Sequence, residues 1–591
     1  MHTERDPSRA TPRARIAGLA GSLAIAVALG LWACGPGGLG RGPDGPPAGG
    51  ASASAGASAA TTSAPAPGPE ARGPRLAVAT ENATAAEVAL AVLREGGSAA
   101  DAAIAAVLVD GVVQPVSSGL GGGGFALYWD AAAKRATVLD FREVGPRDLR
   151  PSDFDARPPK EERRGVMVGV PGEVAGLFEL HRRFGTRPFA ELARPAAELA
   201  RQGFRLDPHL ARTLGPNEAW VKATPRYAAV FAPAGSLLAK GELTRNEALG
   251  RSLEKLAAEG RAAFYEGDLA RDVVATANAA GGRLALEDLA SYAVVEREPL
   301  HAVWEGKDVY TMPPPSAGGL LLLETLAMHG RADVARLGYG TGRYQHVLAE
   351  TFRGAIADRM RFVGDPAFVK VDVAALTAPE RMRARRAAIS ETATREADRF
   401  PLAESGTNHL VVVDAAGNVA SLTSTVNDAF GARLVTAGGF PLNDELDDFA
   451  RQAAEERFGK PGVNLPRPGA RPVSSMTPTL VVADGRPLLA LGGSGGTRIA
   501  TGVAQVVLAV LAFDRTAAEA VADPRIEVPP MGGLVLEEAT PDALAEDLRQ
   551  RGETVAKKPN TSAIQLVVLG AGPRRVEAAG DPRKFGAGLV E

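Results

Sequence analysis

Hydrophobic and polar positions divide the chain into an unpatterned head and a body that begins at about Leu76. Within the body, residues 86–94 and 99–109 carry apolar side chains at helical spacing, interrupted by Gly96-Gly97, and predict two Ala-rich helices. Residues 125–129 and 136–141 alternate with a period of two and read as paired strands. The helical period returns at 176–184, 189–202, 253–259 and 319–327. Residues 380–398 are Arg-dense, without an apolar stripe. The run from Thr407 to Val413 then reads as a buried strand entering a turn at Ala416-Gly417-Asn418. Residues 419–425 complete a hairpin. Strands at 479–483, 487–491 and 564–569 and helices at 500–512 and 540–551 follow. This mixture, free of internal repeats, predicts an α/β (α+β) fold of layered sheets with helices outside.

The head reads as an address. Arg5, Arg9, Arg13 and Arg15 precede residues 16–32, which carry no charge, the order of a secretory signal. That apolar run falls short of the roughly 20 residues a bilayer-spanning helix needs. It ends in Leu31-Trp32-Ala33-Cys34-Gly35, which resembles a bacterial lipobox, although Trp32 is bulkier than the usual occupant. Cys34 is the only cysteine of the chain and stands where lipidation needs one. The alternative is a plain signal peptide with an incidental cysteine. Of the 41 residues from 35 to 75, 35 are Gly, Pro, Ala, Ser or Thr, a composition that cannot offset its own ordering entropy and predicts a flexible tether. Residues 1–34 are therefore expected to be a signal peptide ending at the lipidated Cys34. The exported lipoprotein would be periplasmic or at the cell surface, held on a bacterial membrane by its acyl groups.

Composition narrows the chemistry. A length of 591 residues admits two to four domains, and 45% hydrophobic with 23% charged residues excludes wholesale disorder. A formal net charge of −3 shows no footprint for nucleic acid. One cysteine excludes an intrachain disulfide framework and multi-thiolate metal sites. Seven scattered histidines without an HExxH pair give no support for a metal, no cofactor motif stands out, and no GxSxG elbow is present. The cluster from Gly119 to Gly124 precedes a strand rather than a helix, so it reads as a packing turn. Gly492-Gly493-Ser494-Gly495-Gly496-Thr497 instead leaves a strand and opens a helix. Consecutive amides there form an anion nest suited to phosphate or an oxyanion, without the lysine of a P-loop. Asp444, Glu445, Asp447 and Asp448 form an acidic cluster that alone reads as a solvated turn. Patterning ends here, with a nest and no assigned nucleophile.

Several segments taken together carry a resemblance. They include the stretches from Gly96 to Ala103 and from Ser117 to Phe125, Phe141-Arg142-Glu143, Gly169-Val170-Pro171-Gly172, the run from Pro313 to Gly319, and Ala357-Asp358-Arg359. The second half adds Thr407-Asn408-His409, Thr423-Ser424-Thr425-Val426-Asn427, the run from Leu442 to Phe449, the run from Pro472 to Thr479, and Gly495-Gly496-Thr497-Arg498-Ile499. In this order they resemble the γ-glutamyltransferases (γ-glutamyl transpeptidases) of the N-terminal nucleophile hydrolase superfamily, from about Leu76 to the C-terminus.

The resemblance implies a four-layer αββα sandwich made as an inactive precursor that cleaves itself between Gly406 and Thr407. A large chain, residues 76–406, and a small chain, residues 407–591, would together form one catalytic domain. It further implies that Thr407 is the nucleophile, that Thr425 hydrogen-bonds it, and that the Gly495 and Gly496 amides hold the oxyanion. Arg142, Ser474 and Ser475 would bind the donor's α-carboxylate. Asn427, Glu445 and Asp448 would receive its α-ammonium. Glutathione and related γ-glutamyl compounds are the implied donors; water, amino acids or dipeptides are the acceptors. Three positions depart from the family pattern: Asn408 follows the nucleophile, Asp444 replaces an Asn, and residues 450–471 lack the aromatic residue of the lid found in many bacterial relatives. The alternatives are a sister acylase of the cephalosporin/glutaryl type or a poly-γ-glutamate depolymerase, and a lipid-anchored binding protein that has lost catalysis.

Overall fold

A computed structural model describes residues 75–154, 165–394, 406–451, 462–529, 533–559, 562–570 and 576–591. The signal segment, Cys34, the tether up to residue 74 and residues 452–461 of the 450–471 stretch lie outside the described residues.

The hairpin expected around Ala416-Gly417-Asn418 forms the centre of the fold. Asn408–Val413 and Val419–Thr425 pair antiparallel, with Thr423 opposite His409 and Leu422 opposite Leu410. Asp414 closes the turn by accepting the amides of Ala416 and Asn418. Ala77–Thr80 and Ala587–Val590 extend the sheet on one side; Gly123–Asp130, Arg135–Phe141 and Val295–Arg297 extend it on the other, making seven strands. A second sheet of six strands runs Val576–Ala579, Ala563–Leu569, Arg486–Ser494, Thr479–Ala483, Lys307–Thr311, Leu300–Trp304.

Side-chain alternation builds the layers. Leu410, Val412, Leu422, Ala126 and Tyr128 enter one core, shared with the helices Ala83–Arg94, Ala99–Val113, Glu173–Phe184, Phe189–Gln202 and Glu247–Glu259. Their chain neighbours Val411, Val413, Phe125, Leu127 and Trp129 enter a second core. That core also holds Val309, Leu480, Leu489 and Leu566 of the six-stranded sheet and the helices Gly318–Met328, Gly342–Phe362 and Ile499–Phe513. Successive strand residues point to opposite faces, so a strand buried on both faces reads as one apolar run, as 410–413 does. The result is helix, sheet, sheet, helix, as the resemblance implied. All described residues fall in one compact unit, fewer than the two to four domains that length alone admits.

The predicted helices are present with ends shifted by a few residues. The glycines from Gly119 to Gly124 are a packing turn, as expected. A Cβ on Gly122 would lie 2.0 Å from the Thr425 carbonyl oxygen, and one on Gly124 2.0 Å from that of Thr423. The Arg-dense stretch supplies the helix Pro379–Ala388, and its cations are used internally. Arg381 and Arg385 reach Asp358 at 2.6 and 2.8 Å, and Arg386 reaches Asp333 at 2.8 Å.

Candidate active site

Thr407 enters the first strand on the face that carries His409 and Val411, between the two sheets, and is buried. Thr425 ends the partner strand beside it. The Thr425 hydroxyl donates to the Gly406 carbonyl oxygen at 2.9 Å and lies 3.5 Å from the Thr407 hydroxyl. The Thr407 hydroxyl contacts the same carbonyl. Two threonines thus bracket the one peptide group that joins Gly406 to Thr407. Gly406 adopts φ +93°, and a Cβ there would lie 2.2 Å from the Asn427 carbonyl oxygen, so only glycine fits. On the other side of Thr407, the Lys584 ammonium donates to the Thr407 carbonyl at 2.5 Å and pairs with Glu81 at 2.8 Å.

His409 is the nearest imidazole along the chain, yet it is no base for this site. Its Nδ1 meets the Thr423 hydroxyl at 2.8 Å, and burial pushes its pKa down to about 3, so it is neutral at any working pH. The ring packs against Gly492, where a Cβ would come within 2.2 Å of it.

Gly495 and Gly496 follow the strand Arg486–Ser494 with φ of +123° and +62°. One 3₁₀ turn, Gly496–Arg498, precedes the helix Ile499–Phe513, so the helix starts one turn after the glycines rather than at them. Arg498 Nε donates to the Gly495 carbonyl at 2.7 Å and pins the turn. Gly495 and Gly406 line the same cavity of about 220 Å³, which places the glycine turn beside the Gly406–Thr407 bond.

The charged end of the site is built around Arg142, which follows the strand Arg135–Phe141 and is almost fully buried. Its guanidinium contacts Glu445, reaches Asp448 at 2.6 Å and donates to the carbonyls of Pro472 and Val473 at 3.2 Å each. Glu445–Asp448 is a single 3₁₀ turn, in which residues three apart eclipse, so both ends of the turn face Arg142. Asp447 points instead to Arg451 at 3.1 Å, and Asp444 accepts the Asp428 amide at 3.0 Å. The acidic cluster is therefore divided by geometry rather than solvated. Asp444 fills its position as an acceptor, a role that needs no amide donor. Glu445 keeps Oε2 buried without a partner. The Ser474 hydroxyl oxygen accepts the Met476 amide at 3.1 Å and that of Ser475 accepts from Arg359, which leaves both hydroxyl protons for an incoming anion. Asn427, at φ +73°, donates its side-chain amide to the Asp444 carbonyl at 3.2 Å and ties this end to the hairpin.

A threonine bracketing the carbonyl of the residue before it, a glycine turn lining the same cavity and a buried Arg between two acids are all present in this fold, and the Gamma-glutamyltranspeptidase family model matches residues 85–590. The chain belongs to the gamma-glutamyltranspeptidase family. It is 35% identical over 533 residues to the glutathione hydrolase proenzyme of Pseudomonas aeruginosa, covering 87% of this chain and 94% of that relative. It is 34% identical over 530 residues to the glutathione hydrolase proenzyme of Escherichia coli, covering 86% and 90%. The crystal structure of a cephalosporin acylase from Bacillus halodurans superposes with a TM-score of 0.77 at 25% identity, over 89% of this chain and 98% of the other.

The gamma-glutamyltranspeptidase match spans Arg142, Thr407, Thr425, Asn427, Glu445, Asp448, Ser474, Ser475, Gly495 and Gly496. It also spans three to which sequence reasoning gave no role. Asn443 joins Gly121, Gly169 and the Glu445 amide with bonds of 2.8 to 3.1 Å. Arg359 orients Ser475, and Lys584 holds Thr407. Apart from the Glu445 amide, their partners are remote in sequence, and no spacing rule could have named them. A further cluster brings His346, Glu350 and Glu553 together with ligand atoms within 4.8 Å of one another. Arg353 pairs with both carboxylates there, so a cation already occupies the centre of that group.

Glu143, next to Arg142, is fully buried with neither carboxylate oxygen hydrogen-bonded, and desolvation raises its pKa to about 8 from an ordinary 4.5. Between these values the folded chain keeps a proton that the unfolded chain releases. Its contribution to stability is therefore full below pH 4.5 and is lost as pH rises towards 8. Glu143→Gln should remove this dependence. In thermal melts from pH 4.5 to 8 the variant should gain on the parent by up to about 1.4 kcal/mol per pH unit, and parallel curves would refute the assignment.

Proposed function

We propose that the chain cleaves itself into residues 76–406 and 407–591 of one catalytic domain and then works as a γ-glutamyltransferase and glutathione hydrolase with Thr407 as nucleophile. In self-cleavage the Thr407 hydroxyl attacks the Gly406 carbonyl carbon, polarised by the Thr425 hydroxyl. The C–N bond breaks as the ester forms, and water hydrolyses that ester to a Gly406 carboxylate and a free Thr407. The released α-amine titrates near pH 8, which suits a general base close to neutrality. It takes the Thr407 hydroxyl proton as the oxygen attacks the donor's γ-carbonyl carbon. The oxyanion is held by the Gly495 and Gly496 amides, each worth about 3–4 kcal/mol in such a role. The amine then protonates the leaving nitrogen, the C–N bond breaks, and the γ-glutamyl ester passes to water, an amino acid or a dipeptide.

The arrangement of Arg142 between Glu445 and Asp448 carries the donor reading. A zwitterionic α-amino acid can replace this internal pairing with its own, carboxylate to Arg142, Ser474 and Ser475, ammonium to Glu445, Asp448 and Asn427. A glutaryl donor, as a sister acylase would take, brings a third anion and no cation to face the two acids. Release of a chromogenic amine from a γ-glutamyl anilide tests the proposal, with mass spectrometry to locate the new N-terminus at Thr407. No release, or equal turnover of the glutaryl anilide, would overturn it.

Export as a lipoprotein anchored at Cys34 belongs to the same proposal, supported by the basic–apolar–small order of residues 1–34. Cys34→Ala should shift the protein from the membrane fraction to the soluble one on immunoblots. An unchanged distribution would refute the anchor.

A further inference from the structure

The cavity beside the Gly406–Thr407 bond does not contain the donor-binding cluster around Arg142. It is lined by Gly406 and Gly495, with Arg212, Arg498, Arg583 and Lys584 around it and no acidic side chain among the described residues of its wall. Two of these cations are committed elsewhere: Arg583 to Asp581 at 3.1 Å and to Glu537, and Lys584 to Glu81. The other two are not. Arg212 donates to the Arg583 carbonyl at 3.0 Å and meets Nδ1 of His209 at 3.2 Å. Arg498 uses only Nε, on Gly495. Neither guanidinium forms a salt bridge with a carboxylate among the described residues, although Asp207 lies within electrostatic reach of Arg212 and Glu527 of Arg498. His209 adds no charge, because burial drives its pKa down to about 2. Two guanidiniums without a direct carboxylate contact, beside a glycine turn at the reacting bond, are suited to an anion carried by whatever is bonded to the γ-carbonyl.

We infer that this cavity receives the carboxylate of the leaving group, and of an incoming acceptor, through Arg212 and Arg498, so that the enzyme prefers γ-glutamyl compounds whose amine portion ends in a carboxylate. The inference rests on the donor reading above, and it assigns the half of the substrate that reading leaves open. Glutathione, whose leaving dipeptide ends in a carboxylate, fits it; an anilide has no such group.

The test compares donors on the processed enzyme. Arg212→Ala should lower kcat/KM for glutathione about 10-fold, mainly through KM, while kcat/KM for the γ-glutamyl anilide stays within about 2-fold. Arg212→Lys should restore part of the loss. The unaltered enzyme should favour glutathione over its glycine carboxamide by about 10-fold, a comparison independent of how the variants fold. Equal losses on glutathione and anilide, or equal use of the acid and the amide, would overturn the inference. Failure of the unaltered enzyme on every γ-glutamyl compound would instead overturn the donor reading beneath it.

Discussion

Thr407→Ala should purify as a single uncleaved chain and show no turnover of a γ-glutamyl anilide above about one part in 10³ of the parent rate. One hydroxyl is asked to do two things, to break the bond to Gly406 and to carry the acyl group. Its loss should abolish both. The fold should survive, because the side chain removed packs a methyl and makes hydrogen bonds only with its immediate neighbours Gly406 and Thr425. A melting temperature within a few degrees of the parent would show that the loss is chemical. Thr407→Ser keeps a hydroxyl and, after cleavage, an α-amine, but lacks the β-methyl that stiffens χ1. It should still process and turn over, more slowly. A small chain that begins at Thr407 in the parent, and none in the alanine variant, is the mass-spectrometric result expected. Cleavage or activity surviving in Thr407→Ala would show that another residue is the nucleophile.

Legibility of this site depended on whether a residue's partners lie near it in sequence. The hairpin 408–425 was readable because its apolar run and its turn residues are contiguous, and its register followed from the turn. The glycine turn at 495–496 was readable because strand, glycines and helix adjoin. The acidic cluster was readable only as composition. That Glu445 and Asp448 share a face while Asp447 turns away depends on a 3₁₀ turn, and the cluster's spacing suits a solvated loop equally well. Lys584 was opaque because its two partners, Glu81 and Thr407, are 503 and 177 residues away. The assignment of Thr407 and of the donor groups came from resemblance, since no local chemical signal marks a threonine that is interior to the unprocessed chain. The order of strands in the two sheets was not readable for a related reason. Residues 77–80 and 587–590, at opposite ends of the body, become sheet neighbours.

The pairing of Arg142 with Glu445 and Asp448 also explains how such a charged pocket folds. Arg142, Glu445 and Asp448 are all nearly inaccessible to water, and a buried charge without a counter-ion costs several kcal/mol. By pairing with one another, and with the carbonyls of Pro472 and Val473, they give every charge a counter-ion, with Glu445 Oε2 left without a hydrogen bond. On the proposed donor reading, a donor with both charges would exchange one set of pairs for another at little net cost, whereas a donor with a single charge would leave one partner stranded.

Arg142→Ala puts this account under the most pressure, because it should damage binding and folding in separable ways. Truncating one member of a buried, hydrogen-bonded ion pair typically costs about 2–5 kcal/mol. KM for a γ-glutamyl anilide should therefore rise about 10²- to 10³-fold, with kcat far less affected because Thr407, Gly495 and Gly496 are untouched. The same change leaves the buried Glu445 without its guanidinium partner. Glu445 should then hold a proton that the unfolded chain gives up, so stability relative to the parent should fall as pH rises. Arg142→Lys keeps the charge but not the fork, and should recover the stability more fully than the KM. Self-cleavage should proceed in both variants, since neither touches the contacts among Gly406, Thr407 and Thr425. An unchanged KM in Arg142→Ala would refute the carboxylate role. A KM that rises without any change in the pH dependence of melting would refute the internal pairing as the source of selectivity.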